Sequence, residues 1–305
     1  MFAEQLLGNK SRLVGVFIVA ASLVGLAVFG YRSWESVPDV NWTISYSSLL
    51  IGFLLYSLTL AATVLGWHLV FDRVAGSRDF RRDAKIYVLS NAAKRLPGGI
   101  WGIAGRVYLY KQDGYDEAIV LVAVAVELFA IAAAALVMLP VFAALLPSLQ
   151  WSYSSWIVWI LALVFVFGTL HPRSSTAILN FVTRKLTRGP VETVRRIEVR
   201  ALLAWLVVYV FVWLLGGGVT FSIVGGLYPV PIDYLPGVVG SWVAAGTMSL
   251  LVYFLPGGLG VMELTLSVLL SHFVPAPIAI AGAFGVRIFL TVSELVWALV
   301  FLKWG

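Results

Sequence analysis

The sequence has no cysteine among its 305 residues, so disulfides, thiolate metal sites and thiol redox chemistry are excluded. It is also short of charge. Asp, Glu, Lys and Arg make up 12% of the chain, against roughly 25% in a soluble domain. A water-facing surface cannot be built from so few. A G-x-x-x-x-G-K-[ST] phosphate loop is missing, and with it any sign of nucleotide hydrolysis. No small-x-small cleavage site follows the first apolar stretch, Leu13–Phe29. Lys10 and Arg12 precede it, but bulky Tyr31 and Trp34 come after, which reads as an uncleaved first span rather than a signal peptide. The three histidines, His68, His171 and His272, are scattered near span ends and suit interfacial positions better than metal ligation. No cofactor, no metal and no catalytic residue are expected.

What is present is apolar. Hydrophobic residues reach 61%, mean hydropathy is +0.95, and apolar runs recur at about the 20-residue length that crosses a hydrocarbon core. In lipid every backbone N–H and C=O must find its partner internally, and these runs lack the alternation of a barrel strand, so each run reads as helix. Twelve Trp and twelve Tyr suit interfacial belts. Six spans are expected, at Leu13–Tyr31, Tyr46–Phe71, Asp116–Leu139, Ser154–Leu170, Ala201–Val224 and Pro277–Phe301. Two further apolar stretches, Ile86 to Tyr110 and Tyr234 to Val274, are each interrupted by Leu-Pro-Gly-Gly. Proline removes a backbone donor and paired glycines favour a tight turn, so both read as re-entrant helical hairpins turning at Pro97-Gly98-Gly99 and Pro256-Gly257-Gly258. The fold class is an all-α polytopic membrane protein, a single transmembrane domain over 1–305.

With the N-terminus cytoplasmic and each hairpin leaving on the side it entered, 16 of the 21 Lys and Arg fall on the cytoplasmic face, including the basic loop 171–200. The opposite face holds only Arg32, and Lys94, Arg95, Arg106 and Arg287 lie at membrane depth. That asymmetry satisfies the positive-inside rule and places both termini in the cytoplasm of a plasma or inner membrane. The net charge of +6 is explained by anionic headgroups, without nucleic acid.

The same orientation makes the hairpins enter from opposite faces, each between two spans. Segments 46–139 and 201–301 therefore read as an inverted repeat, a recurring transporter plan. Leu96-Pro97-Gly98-Gly99-Ile100 matches Leu255-Pro256-Gly257-Gly258-Leu259. Arg106 and Glu127 follow the first motif, and Glu263 and Arg287 follow the second with the signs exchanged. Two ion pairs, or one crossed network of four, are expected. Ionisable groups at this depth are costly unless paired or facing a polar cavity, so they are functional candidates or struts that dock each hairpin. Lys94 and Arg95 have no acidic residue nearby after them. They either snorkel to the interface or hold an anionic headgroup together with freed backbone N–H groups. Asn91 is placed to add a hydrogen bond near Lys94. Glu294 follows Arg287 by two turns and either lines the same cavity or approaches the cytoplasmic helix end. Trp101, Tyr108 and Tyr253 read as packing residues, and Asp233 as the cap of the helix after Pro231.

These motifs, in this order and spacing, resemble the lysylphosphatidylglycerol synthase transmembrane region, also known as the flippase-like or YbhN-type family. The resemblance runs from about residue 10 to 302. Lys94-Arg95-Leu96-Pro97-Gly98-Gly99 with Arg106 carries the first signature, and Leu255-Pro256-Gly257-Gly258-Leu259-Gly260-Val261-Met262-Glu263 with Arg287 the second. Glu127 falls where the family has a glutamate usually followed by arginine; here Leu128 follows. The resemblance implies a lipid flippase or scramblase. Its substrate would be an aminoacyl-phospholipid or a polyprenyl-phosphate-linked sugar, its headgroup crossing through a cavity between the hairpins. The aminoacyl-transferase domain of multidomain relatives has no counterpart before the chain ends at Gly305, so a transporter rather than an enzyme is expected. The competing expectations are a membrane enzyme using isolated carboxylates, or a scaffold for a partner lipid-linked glycosyltransferase or synthase. A homo-oligomer is compatible with either reading.

Overall fold

Every regular element among the described residues is helical, as backbone satisfaction in lipid demands. The structure is a computed structural model and describes residues 9–33, 37, 40–94, 101–145, 198–251 and 260–303. Nine helices lie within them: α1 (Asn9–Ser33), α2 (Tyr46–Ala75), α3 (Phe80–Ala93), α4 (Trp101–Gln112), α5 (Glu117–Leu145), α6 (Val199–Leu227), α7 (Leu235–Leu251), α8 (Val261–Leu270) and α9 (Ala276–Lys303). Five segments are long and apolar enough to cross a membrane: α2, Glu117–Phe142 of α5, α6, Ile232–Leu251 and α9. The expected span Ser154–Leu170, most of loop 171–200, Arg95 and both Leu-Pro-Gly-Gly motifs lie outside the described residues.

The helix surfaces explain the composition. On α9 the exposed large residues Ile288, Val292, Leu295, Leu299 and Leu302 recur every three or four positions, which is one face of a helix. On α2 Leu54, Leu58 and Leu65 do the same. An exposed face made of aliphatic side chains is stable only against lipid. Helix α5 continues through Pro140, beyond its expected end at Leu139, because a transmembrane helix tolerates proline where neighbouring groups satisfy the freed carbonyl.

Contacts divide the chain into two units. The first comprises residues 1–56, 96–100 and 216–292. Within it α7 and α8 pack on each other, and α8 packs on α1. Val224, Val238, Ala245, Leu266, Leu270 and Ile278 form its core. The stretch before α2 is tied to the end of α6 by Thr43 N–H to Leu227 O and Ser45 N–H to Gly226 O, both 2.9 Å.

The second unit comprises residues 57–95, 101–215 and 293–305. Here α3 packs on α4, and α4 on α5. The α3–α4 approach depends on Gly102. A Cβ there would stand 2.9 Å from Lys94 Cβ and 3.3 Å from Ser90 O, so only hydrogen fits. Small residues of this kind let membrane helices close on each other. An aromatic group seals the far end of the pair: Trp67 and Phe71 stack at 5.3 Å, and Phe71 lies 4.1 Å from Tyr110.

The two broken segments differ in length. α3 has 14 residues and α4 has 12, which is about 21 and 18 Å of helix, too short to cross. In the second segment Ile232–Leu251 has 20 residues and α8 only 10. That first arm, about 30 Å long, matches a full hydrocarbon thickness. The expected cap is also placed differently. Asp233 sits inside a 3-10 turn, Ile232–Tyr234, that has Pro231 as its N-cap and no side-chain cap. The turn begins at the proline, whose φ of −57° is already helical in φ, so the aspartate enters the turn instead of capping it.

Candidate functional site

Both expected ion pairs form, each within its own unit. In the second unit Arg106 and Glu127 are 7% and 3% exposed. Arg106 Nη1 donates to Glu127 Oε2 at 2.5 Å, and its Nε lies 3.4 Å from Ser90 Oγ. The guanidinium also faces two tilted aromatic rings, 4.2 Å from the ring centroids of both Trp67 and Tyr87. Tyr209 Oη donates to the other oxygen of Glu127 at 3.3 Å. Two rings, a carboxylate and a hydroxyl thus replace the water the cation gave up. In the first unit Arg287 Nη1 contacts Glu263 Oε1. Arg106 and Arg287 each meet the glutamate of their own half, the simple alternative to a crossed network.

Glu263 has a second role that spacing did not suggest. Its Oε2 accepts the N–H of Gly260 at 2.8 Å, and Leu264 N–H returns to Gly260 O at 2.8 Å. Gly260 has φ +94°, and a Cβ there would stand 3.0 Å from Ser22 Cβ. The run Gly260-Val261-Met262-Glu263 is therefore a helix start. The glycine takes a left-handed φ, and the glutamate caps it while holding Arg287.

The structure corrects the expectation for Lys94 and Glu294. Lys94 Nζ is 3.2 Å from Glu294 Oε1, and Asn91 Nδ2 donates to the same oxygen at 3.3 Å. Its counter-charge therefore comes from α9, 200 positions away, where a search of neighbouring sequence could not find it. Glu294 joins α9 to α3 through Asn91 and to Lys94 at its end. The pair is asymmetric: the Lys94 side chain is 37% exposed, that of Glu294 only 3%. Asn91 takes the role expected of it. Arg95 and the turn residues Pro97, Gly98, Gly99, Pro256, Gly257 and Gly258 lie outside the described residues.

Sequence reading missed Asp83. It is fully buried and accepts from Tyr110 Oη at 2.8 Å, from Ser77 Oγ at 2.9 Å and from His68 Nδ1 at 2.7 Å. Tyr110 Oη in turn accepts Trp67 Nε1–H at 2.8 Å. His68 is thus a partner of a buried carboxylate, a role its position near a span end did not suggest. Arg82 donates Nη2 to Ser77 Oγ at 2.8 Å and to Tyr115 Oη at 2.7 Å. Burial opposes its charge, but Tyr115 and Asp83 outweigh burial and strengthen its hold on the proton. The only available signal was one acid inside Arg81-Arg82-Asp83-Ala84-Lys85, which in one dimension looks like a solvated basic turn. Trp101 and Tyr108, read as packing residues, are exposed by 48% and 61%. Among the described residues no three His, Asp or Glu side chains group to hold a metal ion.

No curated protein matches the chain. The family model of the lysylphosphatidylglycerol synthase TM region matches residues 12–298, which takes in every pair described above. Five apolar helices of spanning length and a family model of a transmembrane region make this a multi-pass membrane protein, and the chain belongs to the lysylphosphatidylglycerol synthase transmembrane-region family.

Proposed function

We propose that this chain is a lipid flippase or scramblase without enzymatic activity of its own. It would move a phosphate-bearing amphipathic lipid, an aminoacyl-phospholipid or a polyprenyl-phosphate-linked sugar, between leaflets of the cell membrane, with both termini cytoplasmic. The observation that carries this reading is the Lys94–Glu294 pair. A partly exposed ammonium just before the first Leu-Pro-Gly-Gly motif lies 3.2 Å from a buried carboxylate, whose same oxygen also accepts from the Asn91 amide at 3.3 Å. A lipid phosphate presents the same lysine with a pair of anionic oxygens like those of Glu294, so it can take the place of the carboxylate without leaving the cation unpaired. Arg95 follows directly in sequence and adds a second charge to the same headgroup. Arg106–Glu127 and Glu263–Arg287 act as the rigid or switching pairs around such a path. Ionisable groups at membrane depth usually mark a transport route, and broken helices in oppositely oriented repeats are a common scaffold for one. For a cationic aminoacyl headgroup the membrane potential alone supplies about 2.3 kcal/mol per charge per 100 mV.

The test is leaflet exchange of headgroup-labelled lipids in liposomes containing the full chain, with chemical analysis of the lipid afterwards. Exchange of unaltered lipid, reduced at least about tenfold by Lys94→Gln, supports the reading. Lipid recovered in altered form identifies an enzyme. Absence of exchange for every phosphate-bearing lipid overturns transport.

A further inference from the structure

A second basic feature lies away from the buried pairs, in a cleft of about 380 Å³ formed by α3 and α4. Among the described residues its lining includes three cations, Arg81, Arg82 and Lys85, and one carboxylate, Asp113. Leu89 and Leu109 supply an apolar wall. Arg81 and Lys85 are four positions apart, one turn on the same face of α3. Arg82 is oriented by its bonds to Ser77 and Tyr115, and its Nε stands 3.8 Å from Asp113 Oδ2. That cation and carboxylate partly offset each other. A cleft lined by both cationic and aliphatic side chains suits one kind of ligand: a phosphate with a hydrocarbon chain attached.

We propose that this cleft binds an anionic glycerophospholipid. The phosphate sits on Arg81 and Lys85, and the first part of an acyl chain lies along Leu89 and Leu109. This is a resident lipid of the bilayer, distinct from the transported one, and the proposal does not depend on transport. Placement supports it. Charge bookkeeping puts Arg81, Arg82 and Lys85 on the cytoplasmic face, where the leaflet is anionic and each basic residue at the surface contributes about a fivefold gain in affinity. A soluble phosphate would use the cations but leave the apolar wall without a role.

The test is retention of lipid by the purified full chain in neutral detergent, read by native mass spectrometry with phosphatidylglycerol, phosphatidylcholine or glycerol 3-phosphate added. Phosphatidylglycerol should bind best. Removing both charges with Arg81→Gln and Lys85→Gln should weaken it about 25-fold, from two factors of about five, with phosphatidylcholine unchanged. The charge-preserving exchange Arg81→Lys with Lys85→Arg should retain most of the binding. It also keeps the proposal testable if the neutral pair inserts badly, since Arg81→Gln alone should then show about a fivefold loss. Equal retention of phosphatidylglycerol by the wild type and the neutral variants overturns the site. Glycerol 3-phosphate binding as tightly as the phospholipid overturns the role of the apolar wall. Leaflet exchange that persists in the neutral variants leaves the transport reading standing, so the two ideas fail separately.

Discussion

Arg106 shows how a charge becomes tolerable when it is buried among helices. It has a carboxylate at 2.5 Å and two aromatic faces at 4.2 Å. Removing one partner strands the other, and a buried charge left alone costs about 3–5 kcal/mol. Glu127→Gln and Arg106→Gln should therefore each destabilise by roughly 3 kcal/mol, while the double variant should be less damaged than the sum of the singles. Thermal unfolding followed by tryptophan fluorescence in detergent measures all three, and additive losses would show that the pair is not coupled. The Lys94–Glu294 pair calls for the opposite expectation. Glu294 competes with the proposed phosphate, so Glu294→Gln should tighten binding of an anionic lipid while Lys94→Gln weakens it. Equilibrium binding of phosphatidylglycerol reads the sign directly. At this scale the sequence picked out Arg106, Glu127, Glu263 and Arg287 as two pairs or one crossed network, because the members of each pair follow the same Leu-Pro-Gly-Gly motif, and the structure chose the pairs. It did not reveal Glu294 as the partner of Lys94, or Asp83 as a buried acceptor. Such contacts depend on the rotation and depth of a helix, which residue order does not contain.

Two glycines control how the elements close. A methyl at Gly102 would press into α3, and overpacking of this kind costs roughly 1–3 kcal/mol. Gly102→Leu should do worse than Gly102→Ala, since a larger group forces α4 away. Gly260→Ala carries two penalties, a left-handed φ of +94° and contact with Ser22, together about 1–3 kcal/mol. Because Gly260 N–H holds Glu263, that substitution should also loosen the Arg287 pair, and SDS-induced unfolding should be less cooperative than for Gly285→Ala, where a Cβ meets nothing closer than 3.5 Å. The signature's last glycine and its glutamate thus belong to one device, although spacing alone singled out only the glutamate. Helix boundaries were legible to within a few residues for the long spans, since lipid imposes length. The uneven arms of the second broken segment were not, because a run of apolar residues carries no mark of where the helix leaves the bilayer.

For the whole molecule, the charge asymmetry makes a topological prediction that the absence of cysteine makes easy to check. Asp233→Cys should react with a membrane-impermeant maleimide in intact cells, whereas Asp113→Cys should react only after permeabilisation. The reverse pattern would invert the topology. Gly98→Cys and Gly257→Cys, placed at the breaks, should each resist labelling from the face opposite their hairpin's entry; labelling of Gly257→Cys from that face would mean that Ile232–Leu251, long enough to cross, does cross. Composition alone determined that this chain lives in lipid and must be helical, because a shortage of charge and unbroken apolar runs act on every residue equally and need no knowledge of neighbours. Residue order determined which charges follow each Leu-Pro-Gly-Gly motif. The tertiary structure decided which charges meet across 200 residues, that Asp83 is interior and that three cations share a cleft with aliphatic side chains. Those outcomes depend on which helix faces pack, and packing is a property of pairs of surfaces rather than of a string.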